Sequence, residues 1–275
     1  MKRILQFAAL SVVYLISFII YYSGLFKVIV FVRKKILKKT RVIVLAYHSI
    51  ADYSPVYANK KEFITPIRQF RRQVSYLKNN FHIVPFEEFK SILQNGRVNE
   101  DIAVLTFDDG HRDVFSNALS IISEFKLPAV FFLTTGFIGR ENYLTWEQVN
   151  MMRARGFEFG CHTVTHPHLD RISSDMVKRE VMESKLELEK RIGKEINYFS
   201  YPYGDYNESV VSIIKECGFS AAVTTEDSNC DLSSTDLFRI NRKTVLNRPF
   251  CFFVLKIEGL FEGGFWEYIR KKIFY

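Results

Sequence analysis

The 275-residue chain is 48% apolar and 25% charged, ordinary usage for a folded protein; this excludes a disordered chain, a collagen-like fibre and a small disulfide-stapled scaffold. Its net charge of +8 is concentrated at one end: residues 1–41 hold nine of the 38 Lys/Arg and the first acid is Asp52, leaving 29 bases against 30 acids in residues 42–275. The body has no cationic excess to attract a phosphate backbone, which argues against a nucleic-acid partner.

Ile4 to Phe26 runs 23 residues without a charged side chain, and about 20 such residues let a helix cross a ~30 Å hydrocarbon layer. Tyr21 and Tyr22 suit an interface at its far end. A cleaved signal peptide is the alternative, but the run exceeds the usual ~7–15 apolar residues and no A-x-A pattern follows. The expectation is an uncleaved, single-pass membrane anchor with a basic juxtamembrane stretch over residues 1–40. Arg33, Lys34, Lys35, Lys38, Lys39 and Arg41 outnumber Lys2 and Arg3. The positive-inside rule would then place the body in the cytoplasm, against an anionic leaflet, and the membrane side stays open. Cys161, Cys217, Cys230 and Cys251 form no C-x-x-C pair and imply no disulfide framework.

The body, 41–275, alternates short apolar runs with amphipathic stretches. Val42 to Tyr47, Ala103 to Phe107, Ala129 to Leu133, Phe157 to Cys161, Tyr198 to Tyr201 and Phe219 to Thr224 read as strands. Pro66 to Asn79, Phe86 to Leu93, Asp113 to Phe125, Trp146 to Arg155, Ser173 to Ile192 and Glu208 to Cys217 read as helices, with Ser173 an N-cap and Gly193 a C-terminal stop. Such alternation means a parallel α/β sheet. Roughly seven βα units favour a closed or nearly closed barrel, with its chemistry at the C-terminal ends of the strands.

Two polar clusters fall at those ends. Thr106-Phe107-Asp108-Asp109-Gly110 places adjacent carboxylates after a buried strand, where they repel unless a cation takes one of them. His162-Thr163-Val164-Thr165-His166 has the H-x3-H spacing that brings two imidazoles onto one metal, with His168 beyond Pro167 read as a loop residue. One Asp and two His make a three-ligand set with room for water. A divalent ion such as Zn²⁺ would acidify that water and polarise a carbonyl, and a second carboxylate could take the proton, giving hydrolysis of an amide or ester.

These motifs resemble the polysaccharide deacetylase family, the carbohydrate esterases that share the NodB homology domain. T-F-D-D-G and H-T-V-T-H resemble its first two motifs, and Phe199-Ser200-Tyr201-Pro202-Tyr203-Gly204 its third, usually R-x-P-[YF]-G. The likeness covers about residues 41–245. It implies a distorted (β/α) barrel and removal of N-acetyl groups from an N-acetylglucosamine-type polymer or oligosaccharide. By the same likeness Asp108 would be the general base. Asp109, His162 and His166 would hold the metal, most often zinc. The Tyr203 backbone N–H would stabilise the oxyanion.

The sequence departs from the family twice. Ser200 stands where the third motif has Arg, with Arg239 or Arg242 as possible replacements, and no histidine follows His168 to serve as the usual general acid. His48, ending the first strand in a Tyr-His pair like that of the poly-N-acetylglucosamine deacetylase subgroup, is the candidate substitute. His111 is a lesser candidate. His82 reads as structural, and Tyr143 and Trp146 as packing residues before sugar platforms. Two other readings stand beside this one: a deacetylase or deformylase of a lipid-linked sugar at the membrane, and a catalytically inactive saccharide-binding relic.

Overall fold

The computed structural model describes residues 2–53 and 61–261, with side chains from Leu10. The chain divides into two compact units. One is Val42–Asn247; the other joins the segment up to Arg41 with the segment from Arg248. The sequence runs the body on to residue 275, whereas the described residues after Asn247 group with the N-terminal segment. Residues 262–275 of the expected body lie outside the described residues.

In the N-terminal unit, the expected single span is two helices, α1 (Lys2–Tyr22) and α2 (Leu25–Phe31). They part at Ser23–Gly24, where Gly24 adopts a left-handed φ of 79°, a conformation glycine takes without a Cβ penalty. Leu10–Tyr22 and Leu25–Ile36 meet at 73°, and among the described residues no single helix is long and apolar enough to cross a membrane. A further helix, Phe250–Ile257, packs within this unit: Tyr14 meets Phe252 edge-on at 5.5 Å and Tyr21 meets Phe250 at 6.0 Å. A buried Arg33–Glu258 ion pair of 2.9 Å joins its two sequence segments.

The body contains the strands β1 (Val42–Tyr47), β2 (Ser49–Ile50), β3 (Ile64–Thr65), β4 (His82–Ile83), β5 (Ile102–Phe107), β6 (Val130–Leu133), β7 (Glu158–Cys161), β8 (Tyr198–Ser200), β9 (Ala221–Val223) and β10 (Lys243–Thr244). Its helices are α3 (Ile67–Asn80), α4 (Phe86–Asn95), α5 (Leu119–Phe125), α6 (Trp146–Ala154), α7 (Ser174–Ile192) and α8 (Glu208–Glu216). The main sheet is parallel throughout, in the order β10-β1-β5-β6-β7-β8-β9, with β4 beside β5; β2 and β3 pair separately. The sheet curls until one segment serves both edges. Ile240 bridges Val223 of β9, and three residues on β10 pairs with β1.

Period-two alternation sorts the side chains. Val42, Val44, Ile102, Val104, Val130, Phe132 and Tyr198 form one core with Phe86 and Phe89 of α4. The opposite parity, Tyr47, Phe107 and Phe131, stacks in a row with Phe70 of α3. β1 and β5 are buried along their whole length, which is why they read as continuous apolar runs. The Ser173 hydroxyl caps α7 by accepting the Met176 N–H, and Gly193 ends it at φ 69°. The expected helix from Asp113 opens instead with a π-helical stretch, Val114–Ala118, before α5.

Candidate active site

The strand ends converge as the fold requires. Asp108 and Asp109 follow β5, His162 follows β7, Ser200 ends β8, His48 follows β1 and Arg242 precedes β10. Asp108 is buried, and the fully buried Arg242 grips it through a two-point contact: Nη1 donates to Oδ1 at 2.8 Å and Nη2 to Oδ2 at 2.6 Å. Arg242 also donates to Ser200 Oγ at 3.0 Å, Thr106 Oγ1 at 3.0 Å and the Thr224 carbonyl at 2.8 Å. Burial alone would raise the Asp108 carboxyl, but the Arg242 charge and hydrogen bonds outweigh it and hold the group below the usual carboxylate range. Of the two arginines considered for the missing charge, Arg242 reaches Asp108. Arg239 instead pairs with Glu208 at 2.6 Å and Asp236 at 3.2 Å.

Asp109, His162 and His166 present their ligand atoms to one another. Asp109 Oδ1 lies 3.5 Å from His162 Nε2 and 3.4 Å from His166 Nε2, and the two nitrogens are 3.1 Å apart. Ligand atoms around a tetrahedral ion with ~2.0–2.1 Å bonds stand roughly 3.3 Å from each other, so the triangle matches one face of such a site. The donor chemistry agrees. His162 Nδ1 donates to the Ser200 carbonyl at 2.7 Å, which turns the Nε2 lone pair toward the group. Burial, then the neighbouring His162, push His166 down to about 4, so its imidazole is neutral near pH 7. Burial alone would lower the His162 pKa, but the Asp109 hydrogen bond and the charges of Asp108 and Asp109 outweigh it and raise it, so with no ion present a proton is drawn to the spot where the ring nitrogens and the carboxylate meet, as a cation would be. The residues fit a divalent metal, with a fourth position left for water.

The backbone around this group is tightly constrained. Asp109, Thr163, His166 and Tyr203 all have positive φ, at 71°, 64°, 61° and 60°. Such conformations persist only where the surroundings over-determine them. For the histidine loop, Glu180 of α7 supplies much of the constraint, accepting the Val164 N–H at 2.9 Å, the Thr165 N–H at 2.8 Å and the Thr165 hydroxyl at 2.7 Å. Behind the loop, a Cβ on Gly136 would lie 2.5 Å from the Val164 carbonyl oxygen.

Four histidines outside the ligand group fall in different places. His48 packs its ring on Phe63 at 4.7 Å, and its buried Nδ1 makes no hydrogen bond with any described residue. Burial lowers its pKa, opposed by the charges of Asp109 and Asp108. His111 Nε2 is 3.2 Å from Asp109 Oδ2, and its ring stacks on Tyr143 at 5.0 Å. His168, read as a loop residue, pairs with Asp205 at 2.5 Å and stacks on the exposed Tyr203 ring at 3.9 Å. His82 is exposed beside Glu100, far in sequence from these clusters. Arg191 lies over the Trp146 ring at 5.2 Å, a packing role for that residue. Sequence reading missed Glu180 and Asp205, which lie in no motif and have no spacing to mark them.

Comparison with known proteins finds a matching family and similar structures. Residues 95–222 match the family described as Polysaccharide deacetylase. YxkH of Bacillus subtilis (strain 168) is 27% identical over 191 residues, 69% of this chain and 66% of that protein, so the match spans just under two thirds of the relative. The poly-beta-1,6-N-acetyl-D-glucosamine N-deacetylase of Staphylococcus aureus (strain MRSA252) is 22% identical over 249 residues, 82% of this chain and 86% of that one. Among solved structures, the Streptococcus pyogenes deacetylase PplD in complex with acetate superposes with a TM-score of 0.72 at 26% identity, over 79% of this chain and 98% of that one.

Proposed function

We propose that this chain, which carries a polysaccharide deacetylase domain, hydrolyses the N-acetyl amide of an N-acetylglucosamine-type saccharide with the help of a divalent metal. The observation that carries the reading is the Asp109–His162–His166 triangle beside a second, separately held carboxylate. A metal held by those three residues would supply Lewis-acid polarisation of the amide carbonyl and acidify a bound water. Asp108 accepts the water's proton: Arg242 keeps it ionised and fixed, and although Oδ2 also accepts the Ser200 hydroxyl at 3.3 Å, Oδ1 retains a lone pair beyond its Arg242 contact. The Tyr203 backbone N–H, set by the left-handed turn at Pro202–Gly204, donates to the oxyanion. His48, in its charged form, gives a proton to the leaving amine; burial lowers its pKa, so turnover is expected to fall as pH rises.

The test is acetate release from a panel of N-acetylated oligosaccharides with added metal. Asp108→Asn is expected to keep metal and lose turnover, and His48→Ala to lower kcat at unchanged metal content. Full activity in either variant contradicts that residue's role.

A second reading places the same chemistry on a lipid-linked sugar. It is favoured by exposed apolar side chains along the N-terminal unit, among them Leu15, Phe18, Ile19, Leu25, Val28 and Phe31, with exposed Lys27, Lys35, Lys38 and Lys39 beside them. Such a surface suits an anionic membrane, and membrane attachment through this bent helix pair, rather than through one straight span, belongs to this proposal. Flotation of the full chain with anionic but not zwitterionic vesicles, together with turnover of glycolipid over polymer, is the expected result; no flotation and polymer turnover alone would reject it.

A further inference from the structure

We infer that His111 is a positioning residue that holds Asp109 to the metal through a single oxygen; this rests on the proposed metal site. The two Asp109 oxygens have different neighbours. Oδ1 faces the imidazoles of His162 and His166 at 3.5 and 3.4 Å, whereas Oδ2 lies 3.2 Å from His111 Nε2. His111 is not among the residues whose ligand atoms cluster within mutual bonding range, so it acts on the carboxylate rather than on the ion.

His111 is itself held. Its ring stacks on Tyr143 at 5.0 Å and 29°, its backbone bridges Tyr143 in an antiparallel pair, and its carbonyl accepts the Val114 N–H at 3.2 Å. The adjoining strand-end turn is fixed too. Asp109 has φ 71°, Gly110 has φ 81°, and the Gly110 carbonyl accepts the Leu144 N–H at 2.9 Å.

The consequence is geometric. A carboxylate free to turn can present both oxygens to an ion and fill the position a water needs. With Oδ2 engaged by His111, Asp109 offers Oδ1 alone, and the ligand triangle keeps an open vertex for water and substrate. Outer partners of this kind orient the ligand atom and typically change metal affinity about 10–100-fold when removed.

The experiment measures Zn²⁺ affinity of the full chain by competition with a chromophoric chelator, and records Co²⁺ absorption spectra, for wild type, His111→Ala and His111→Gln. His111→Ala is expected to weaken Zn²⁺ binding about 10–100-fold and to shift the Co²⁺ spectrum toward higher coordination. His111→Gln, which keeps an N–H donor, is expected to restore most of both. Unchanged affinity and spectrum in His111→Ala overturn the inference. So does equal loss in both variants, which would mark His111 as a packing residue under Tyr143. If His111→Ala does not fold, His111→Asn, short of Oδ2 but polar, is read in its place against His111→Gln with the same criteria. Asp109→Ala is the separate control: unchanged Zn²⁺ binding there removes the metal site itself, whatever His111 does.

Discussion

At the residue scale, Arg242 carries a fully buried charge, balanced by Asp108 in a two-point contact. Removing one partner of such a pair leaves the other charge uncompensated and costs about 3–5 kcal/mol. Arg242→Met is therefore expected to destabilise the body by that amount. It should also lower kcat by about 10²-fold, with little change in KM, because the base is no longer aimed. The pH dependence has a definite sign. Asp108 is held below the usual carboxylate range, so its pairing contributes fully above about 3.9 and is lost as pH falls through the folded value. Urea midpoints of wild type and Arg242→Met should thus differ most near neutrality and converge in acid; a constant gap down to low pH would show that the pair is not the cause. Arg242→Lys is not conservative here, since an ammonium cannot match two carboxylate oxygens and also reach Ser200, Thr106 and the Thr224 carbonyl.

At the element scale, the His162–His166 loop depends on neighbours in α7 and directly after β6. Glu180→Ala removes three hydrogen bonds to the loop. It is expected to weaken metal binding about 10-fold, as loss of an orienting partner does, with Glu180→Gln falling between. Gly136→Ala forces a Cβ to 2.5 Å from the Val164 carbonyl oxygen, a backbone atom that must move. An overpacking penalty of about 1–3 kcal/mol is expected, visible as a lower Tm together with lost metal affinity; an unchanged Tm would mean the loop yields freely. The candidate site residues were legible in the sequence because their spacing is local: Asp108, Asp109, His162 and His166 lie in two short motifs directly after apolar runs. Arg242 could only be offered together with Arg239. Its partner lies 134 positions away and is reached through curling of the sheet, and β10, two residues long, has no periodicity to read. The capping pair Thr145–Gln148 at α6 was readable but not taken, whereas Ser173 and Gly193 at α7 were.

At the scale of the molecule, alternation and strand-end placement gave the parallel α/β sheet, because buried parallel strands must be continuously apolar. Apolar composition alone did not give the break at Gly24, since the residues on either side are equally hydrophobic and a left-handed glycine leaves no mark in hydropathy. Nor did it give the grouping of Phe250–Ile257 with α1 and α2, a long-range association that rests on aromatic contacts and the Arg33–Glu258 pair. What the molecule does turns on whether Asp109, His162 and His166 hold one ion while Asp108 works beside it. The most direct measurement is metal content, by elemental analysis after gel filtration, alongside acetate release for wild type, Asp109→Ala, His162→Ala and Asp108→Asn. Stoichiometric metal in wild type and Asp108→Asn, loss of metal and activity together in the other two, and activity confined to wild type is the predicted pattern. A wild-type chain that turns over at full rate without metal, or an Asp109→Ala chain that keeps both metal and activity, would contradict it.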